Sequence, residues 1–579
     1  MRSGSKRLGS LVALAAVSVL LVAACTKKGE GDKGPSKQFS PGFAECETKP
    51  DDCNSGLTKK GGTIVVALGK VIPNLNIWAG DGNLVESVEV MNGVTMSPFI
   101  FLPSGKIVPT DLVAEEPKVT STSPQTVVYK LNPNAKWEDG SPINADDFDL
   151  TWRVLNGHDK DINIADSTGY DQIDSVEGSD GGKTVTVKYK TPYPDWKGLF
   201  TLLPAHIFAK SGDVKSDKTL EAGFKAIYND TTWTAGPYKI GNWNKEKSVE
   251  LVPNPNWYGK TKPSLDKIIF QFVVDSAQLV PALQNKEINA FVIQPNRDIV
   301  TKLQGMTASG VGYEMTAGYS FEHFDINVKN KALSDLPLRQ AIFTAINTQE
   351  LMDKTIKTFF SSVKQMGNHM LYPIQQGYVD NRAKVAPDQG TGDVEKAKKI
   401  LTDAGYKLDG AKLTDSKGQP VPTLRFRFTK GNVARAQLAE IFQGQMKKIN
   451  VDVKIDPTDD LSGTLDSQDY DIIVFGWAGT ALLTGNRGIY HSKGDNNKTG
   501  WGDPKADDLL DQAVKELDEK KAIDLYNQAD EIWYKNAVTL PLWAKPNLLA
   551  ASTDYVNLRD NNAGSYHSYN TQDWGLKAS

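Results

Sequence analysis

The rhythm of apolar and polar positions changes part-way along the 579-residue chain. In the first half the apolar residues come in short runs. "GGTIVVAL" (61–68) reads as a buried strand. "QTVVYKL" (125–131), "KTVTVKYK" (183–190) and "YKIGNWN" (238–244) have the alternation or β-branched content of sheet. Between them, "INADDFDLTWRVLNG" (143–157) predicts a helix, with Asn144 as its N-cap and Phe148, Trp152 and Leu155 on one side. "NIWAGDGN" (76–83) is a loop turned by Gly80 and Gly82.

In the second half the period lengthens. Leu338, Ala341, Ile342 and Ala345 form an amphipathic stripe entered through Asp335 and Pro337. Ala397, Ile400, Leu401 and Ala404 repeat it from Asp393 until Gly405. "LRFRFT", then a helix with Leu438, Ile441, Phe442, Met446 and Ile449 inward, then "VDVKID" spell a β-α-β unit. "DIIVF" (471–475) adds a further buried strand that ends where Gly476 breaks it. A last long helix turns Ala522, Leu525, Tyr526, Ala529, Ile532 and Trp533 inward. A strand-rich first half and an α/β second half predict mixed lobes rather than one continuous sheet.

The N-terminus alters where this fold must work. Arg2, Lys6 and Arg7 precede an uncharged run from Leu8 to Ala24, the outline of an export signal over 1–24. Ala23 and Ala24 before Cys25 resemble the lipobox of bacterial lipoproteins, which implies acylation of Cys25 and attachment to the outer face of the cell membrane. An ordinary cleavable signal with an incidental cysteine is the rival. Residues 25–60, rich in Gly, Lys, Pro, Asp and Ser, predict a flexible tether. Cys46 and Cys53 are the two remaining cysteines and should bridge in an oxidising compartment, for about 2–3 kcal/mol. Zinc, the alternative for the pair, wants four ligands, and no histidine is near.

The export segment holds three basic residues and no acidic one, which leaves 63 basic against 70 acidic, a net of −7. No basic block survives to neutralise phosphates, so nucleic acid is not an expected partner. "GGKT" (181–184) lacks the earlier glycine of a phosphate-binding loop and sits between strands, so it reads as a hairpin turn. The six histidines show no metal-ligand spacing, and no catalytic elbow or cofactor fingerprint occurs. Neither an enzyme nor a cofactor is indicated.

Ten stretches in order, from "GGTIVVAL" through "NPNAKWEDGSPINADDFDLTWR", "AGPYKIGNWNKEKSVELVPNPNWYG" and "LPLRQAIFTAINTQEL" to "DYDIIVFGWAG" and "NKTGWGDPKADDLLDQA", resemble the peptide/nickel class of bacterial extracellular solute-binding proteins, family 5, receptors of ATP-driven (ABC) importers. The resemblance implies a two-lobed, hinged α/β fold of the periplasmic-binding-protein kind (class II). Lobe I would combine 61–97, 234–329 and 545–579 with a strand-rich subdomain, 98–233. Lobe II would be 330–544, and the ligand cleft would lie between the lobes. A monomer is expected, with a peptide or similar small solute and ABC permease subunits as partners. The lipid anchor would be its only link to the membrane. A non-transport envelope regulator on the same fold is the alternative.

The resemblance also nominates a site. Trp477, Ala478, Gly479 and Thr480 follow the break in "DIIVFGWAGT", where the glycines would admit a ligand backbone; packing in the core is the rival role for Trp477. Trp78, Asp81 and Asn83 follow the first strand. Met91 and Asn92 stand where the family often has an aromatic residue, and Tyr319, Phe321 and His323 precede the crossing into lobe II. Peptide receptors of the family carry an aspartate after the Gly-Trp that pairs with the peptide's α-ammonium; here that position is Thr480. Another acid must serve, or the ligand lacks the amine. Glu86 and Glu322 are the candidates, each expected more often as a surface group.

Overall fold

The structure, a computed structural model, describes residues 38–408 and 412–578. The export signal, Cys25 and the first part of the tether lie outside the described residues. Ten strands form the main sheet: β1 (Thr63–Leu68), β2 (Tyr238–Asn244), β3 (Ser248–Pro253), β4 (Lys267–Phe272), β5 (Ala290–Ile293), β6 (Val311–Ile326), β7 (Leu424–Arg427), β8 (Val453–Ile455), β9 (Ile472–Ala478) and β10 (Thr539–Ser552). Their order is β8-β7-β9-β6-β10-β5-β1-β4-β3-β2. β1 runs parallel to β4 and β5, and β7 runs parallel to β8 and β9, the latter group containing the expected β-α-β unit with its helix Val433–Met446.

One ladder runs through the body where mixed lobes rather than a continuous sheet were expected, because β6 and β10 are 16 and 14 residues long and serve both halves. Residues 311–317 of β6 pair with 546–552 of β10, the stretch that also carries β5. The register then shifts between Ala317 and Phe321. Beyond it, 321–325 pair with 539–544, and 320–326 take β9 on their other side. Gly318 sits in the irregularity. A side chain there would meet Asn562, whose Cβ lies 2.0 Å from the position a Cβ would take.

The alternation of β1 divides the apolar interior. Ile64, Val66 and Leu68 face one core, and Ala67 faces a second on the opposite side. The first core also fills the space under a four-stranded antiparallel sheet built from Lys118–Thr122, Gln125–Lys130, Thr184–Tyr189 and Ile173–Ser179. "GGKT" lies at the turn between the last two of these strands. The helix Ala145–Leu155 packs beside them. Asn144 caps it, its Oδ1 accepting from Asp146 N at 2.8 Å while Asp147 Oδ2 accepts from Asn144 N at 2.9 Å.

From Gln38 onward the chain expected as a solvated tether packs on the body instead. Phe43 is buried with its ring against Gly312 of β6, and Gln38 Nε2 donates to Ser362 Oγ at 2.8 Å. Cys46 and Cys53 are joined in a disulfide, which removes the thiolates that zinc would need. The buried aromatic is what the composition of 25–60 conceals. Among the described residues no helix is long and apolar enough to cross a membrane.

Behind the register shift lies a buried charge triad. Glu322, expected at the surface, is only 6% exposed. Its carboxylate accepts from Nε and Nη2 of Arg435, the latter at 3.2 Å, and lies 3.7 Å from Lys545 Nζ. Burial pushes the Glu322 carboxyl up, but the Arg435 guanidinium and the Lys545 ammonium outweigh it and hold the group below its ordinary value. Removing one member of such a set strands the others in low dielectric. Glu322→Ala is therefore expected to lower unfolding free energy by about 3–5 kcal/mol in urea titrations near neutral pH. A lowered native pKa contributes stability above the unfolded-state value of about 4.3 and loses it as the pH falls. The gap between variant and wild type should accordingly narrow in acid; equal stabilities at neutral pH would contradict the role assigned to the triad.

Candidate ligand-binding site

Alternation along paired strands builds the floor of a cavity. On β6, Phe321 and His323 project to one face; on β9 their partners Trp477 and Phe475 project to the same face. The rings stack as a block. His323 lies parallel to Trp477 at 6.3 Å, and Phe475 meets the Trp477 edge at 5.0 Å. Trp477 is the partly exposed upper member. β9 does not break at Gly476 but continues to Ala478, because Glu322, Phe321 and Ser320 of β6 keep pairing with 476–478.

The two glycines serve the protein's own side chains. A Cβ on Gly476 would lie 3.1 Å from Lys545 Nζ, and one on Gly479 would lie 2.5 Å from the Tyr372 hydroxyl. The room beside each is thus taken by the protein's own side chains, while the Gly479 backbone stays exposed.

Above this floor is a cavity of about 550 Å³, within the size range of small-molecule sites. One wall comes from the first half of the chain: Trp78, Asn83, Asp166, Thr168, Tyr170, Tyr193 and Leu199. The other comes from Phe321, Tyr372, Trp477–Thr480, Leu482, Thr484 and Tyr490. The walls touch at one edge. Asp195 Oδ2 accepts from the backbone N of Thr484 at 2.8 Å and from its hydroxyl at 2.6 Å, and Leu482 packs over Gly198. Burial raises the Asp195 carboxyl, against the lowering pull of the Thr484 donors.

The Trp78 loop is held by short-range polar contacts. Asn76 Oδ1 accepts from Trp78 N at 3.1 Å, and the indole leans on Trp233 at 5.7 Å. Trp78 O accepts from Ala165 N at 2.7 Å and Gly80 N donates to Asn163 O at 3.0 Å, which fixes the loop bearing Asp166 beside it.

Of the residues nominated from sequence, Trp78, Asn83, Phe321, Trp477, Ala478, Gly479 and Thr480 line this cavity together. The others do not. Asp81 is exposed and accepts from the Tyr228 hydroxyl at 3.3 Å. Met91 is fully buried. Asn92 lines a neighbouring cavity of about 430 Å³, which shares the wall Ile77, Gly198, Leu199 and Thr201, and its Nδ2 donates to Ser565 O at 2.6 Å. Tyr319 is buried against Tyr372, with ring centroids 5.0 Å apart. His323 lies wholly beneath Trp477. Of the two acids proposed as substitutes, Glu322 is spent in the triad, and Glu86 is not among the residues lining either cavity.

Asp166, Tyr170, Tyr193, Tyr372 and Tyr490 were not anticipated. Each sits in a stretch without local periodicity that singles it out, and they meet only through the tertiary fold.

The sequence profile of bacterial extracellular solute-binding proteins, family 5, matches residues 108–500. The chain belongs to this family. Members are transport binding proteins rather than enzymes, and they work outside the cytoplasm. The solute-binding protein described here is 30% identical to the oligopeptide-binding protein OppA of Mycobacterium tuberculosis, over 86% of this chain and 82% of that one. It is 24% identical to OppA of Bacillus subtilis, over 93% and 94%. Its structure resembles that of the periplasmic EDTA-binding protein EppA, with a TM-score of 0.85 and 33% identity over 92% of this chain and 99% of that one.

Trp477 offers the largest partly exposed apolar face of the floor. Trp477→Ala is expected to weaken capture of a bound solute by more than about 1 kcal/mol in titration calorimetry, the usual cost of losing a buried aromatic anchor. Unchanged affinity would confine Trp477 to packing.

Proposed function

We propose that this solute-binding protein captures short peptides for an ABC importer and is held at the outer face of the membrane through an acylated Cys25. The cavity between the Trp78–Asp166 wall and the Trp477 floor carries the reading. It is large enough for a small peptide, ringed by aromatic side chains, and free of any lysine or arginine among the described residues that line it. The relatives named for oligopeptide binding support the same ligand class.

EppA, named for EDTA, raises a second reading in which the ligand is a polycarboxylate chelate. The same cavity disfavours it, because a multiply charged anion taken out of water there would meet no cationic side chain among the described lining residues.

Capture would proceed by hinge closure. In this reading the lobes are 61–329 with 545–579, and 330–544, flexing where the registers of β6 and β10 shift. Ligand would contact both walls only when they meet, so its differential affinity would draw the population toward the closed form, with Asp195–Thr484, which joins the walls in this structure, adding to it. A permease would then read the closed outer surface. The chain works as a monomer in this account, with no nucleotide, metal or nucleic acid of its own.

The test is capture from mixed pools. The purified protein, unloaded by mild denaturation and refolding, is offered tetrapeptides and metal–EDTA chelates and analysed by mass spectrometry. Retention of peptides and not chelates is expected; the reverse would replace the peptide reading with the chelate one. For the anchor, Cys25→Ser is expected to abolish labelling by a radioactive fatty acid and move the protein to the soluble fraction. Undiminished labelling would remove Cys25 from that role.

A further inference from the structure

The cavity walls contain one carboxylate, Asp166, and among the described lining residues no lysine, arginine or second acid. The one lining histidine is already engaged: the two ring nitrogens of His369 lie 2.6 Å from Asp530 Oδ1 and 2.9 Å from Thr539 O. Asp166 is differently placed. Its Oδ1 accepts from the backbone N of Thr168 at 2.9 Å and from the Thr168 hydroxyl at 2.7 Å, a turn that fixes the carboxylate. No basic side chain pairs with it among the described residues, and its Oδ2 takes no hydrogen bond there. It is oriented by its own loop, that loop is pinned to Trp78, and the remaining oxygen is left without a protein partner.

We propose that Asp166 is the counter-charge of the ligand cavity and that the solutes selected carry an ammonium group to meet it. The inference rests on the peptide reading and answers the question left by Thr480, which supplies no charge: the acid comes from the opposite wall, in the first half of the chain. Asp166 is exposed in this structure, so a ligand seated against it displaces water from the carboxylate, and an ammonium partner offsets that loss. Aromatic faces on the same walls are also compatible with a cation. Anionic solutes would be rejected by the same charge. Thr168 acts as a positioning residue through the carboxylate it orients.

Three tetrapeptide pools test the assignment: free amino ends, N-acetylated ends, and N-acetylated ends with one fixed lysine. Each is offered to wild type and to Asp166→Asn, which keeps the Oδ1 acceptor of the turn. Wild type is expected to favour the free-amine pool over the plain acetylated pool by about tenfold or more. Asp166→Asn should lose that preference, retaining the free-amine and plain acetylated pools to the same extent. Recovery of binding by the lysine pool assigns the contact to any ammonium; no recovery assigns it to the amino terminus, and either supports the inference. Capture of all pools without amine preference, or a preference that survives in Asp166→Asn, overturns the role of Asp166 and leaves peptide capture standing. Failure of wild type to retain any pool overturns the peptide reading and this inference with it.

Discussion

Two strands have to satisfy two bodies at once, and the rest of the molecule is arranged around that requirement. β6 and β10 keep their backbone groups paired with each other along nearly their whole length, yet the neighbours on their outer sides change from β5 to β9. A straight ladder would transmit one twist throughout. The irregularity at 317–321 lets each half take its own. Gly318 leaves space for Asn562 at that point, and Glu322, Arg435 and Lys545 fix the chain immediately beyond it. In the proposed function, two strands joined at a pinned irregularity would be the physical basis of the hinge.

The same strands build the floor of the cavity. Because side chains alternate, the strand that places aromatic rings toward the cavity places Glu322 and Phe324 toward the other side. The triad and the cavity floor are thus opposite faces of one ladder. The wall that meets the floor comes from loops fastened by backbone hydrogen bonds rather than by regular structure, which suits a surface required to carry specific polar groups at defined positions.

Much of the fold was legible where one element determines its own pattern. Asn144 stands before a helix and caps it; the β-α-β unit around Val433–Met446 follows from a change of period; "DIIVF" is too apolar to lie anywhere but in a sheet interior. Trp477 was found through the strand that delivers it. What escaped the sequence depends on residues far apart in the chain. Glu322 looks like any strand glutamate until Arg435 and Lys545 arrive. Nothing in the sequence around Gly476 and Gly479 shows that Lys545 and Tyr372 occupy the room beside them. Phe43 sits in a polar stretch that composition assigns to solvent, although Gly312 offers it a seat. Asp166 belongs to a polar loop like many others, and only the fold makes it the single acid among the described residues that line the cavity.

The central claim is that ligand brings the two walls together. Lys118, in the four-stranded layer, and Lys520, on the helix Glu519–Asn536, are exposed on the two sides of the cleft as proposed. Spin labels at Lys118→Cys and Lys520→Cys report the distance between them by pulsed electron resonance. The account predicts a long or broad distribution in the unloaded protein that shortens and narrows on adding captured peptide. Superimposable distributions with and without bound peptide would contradict it.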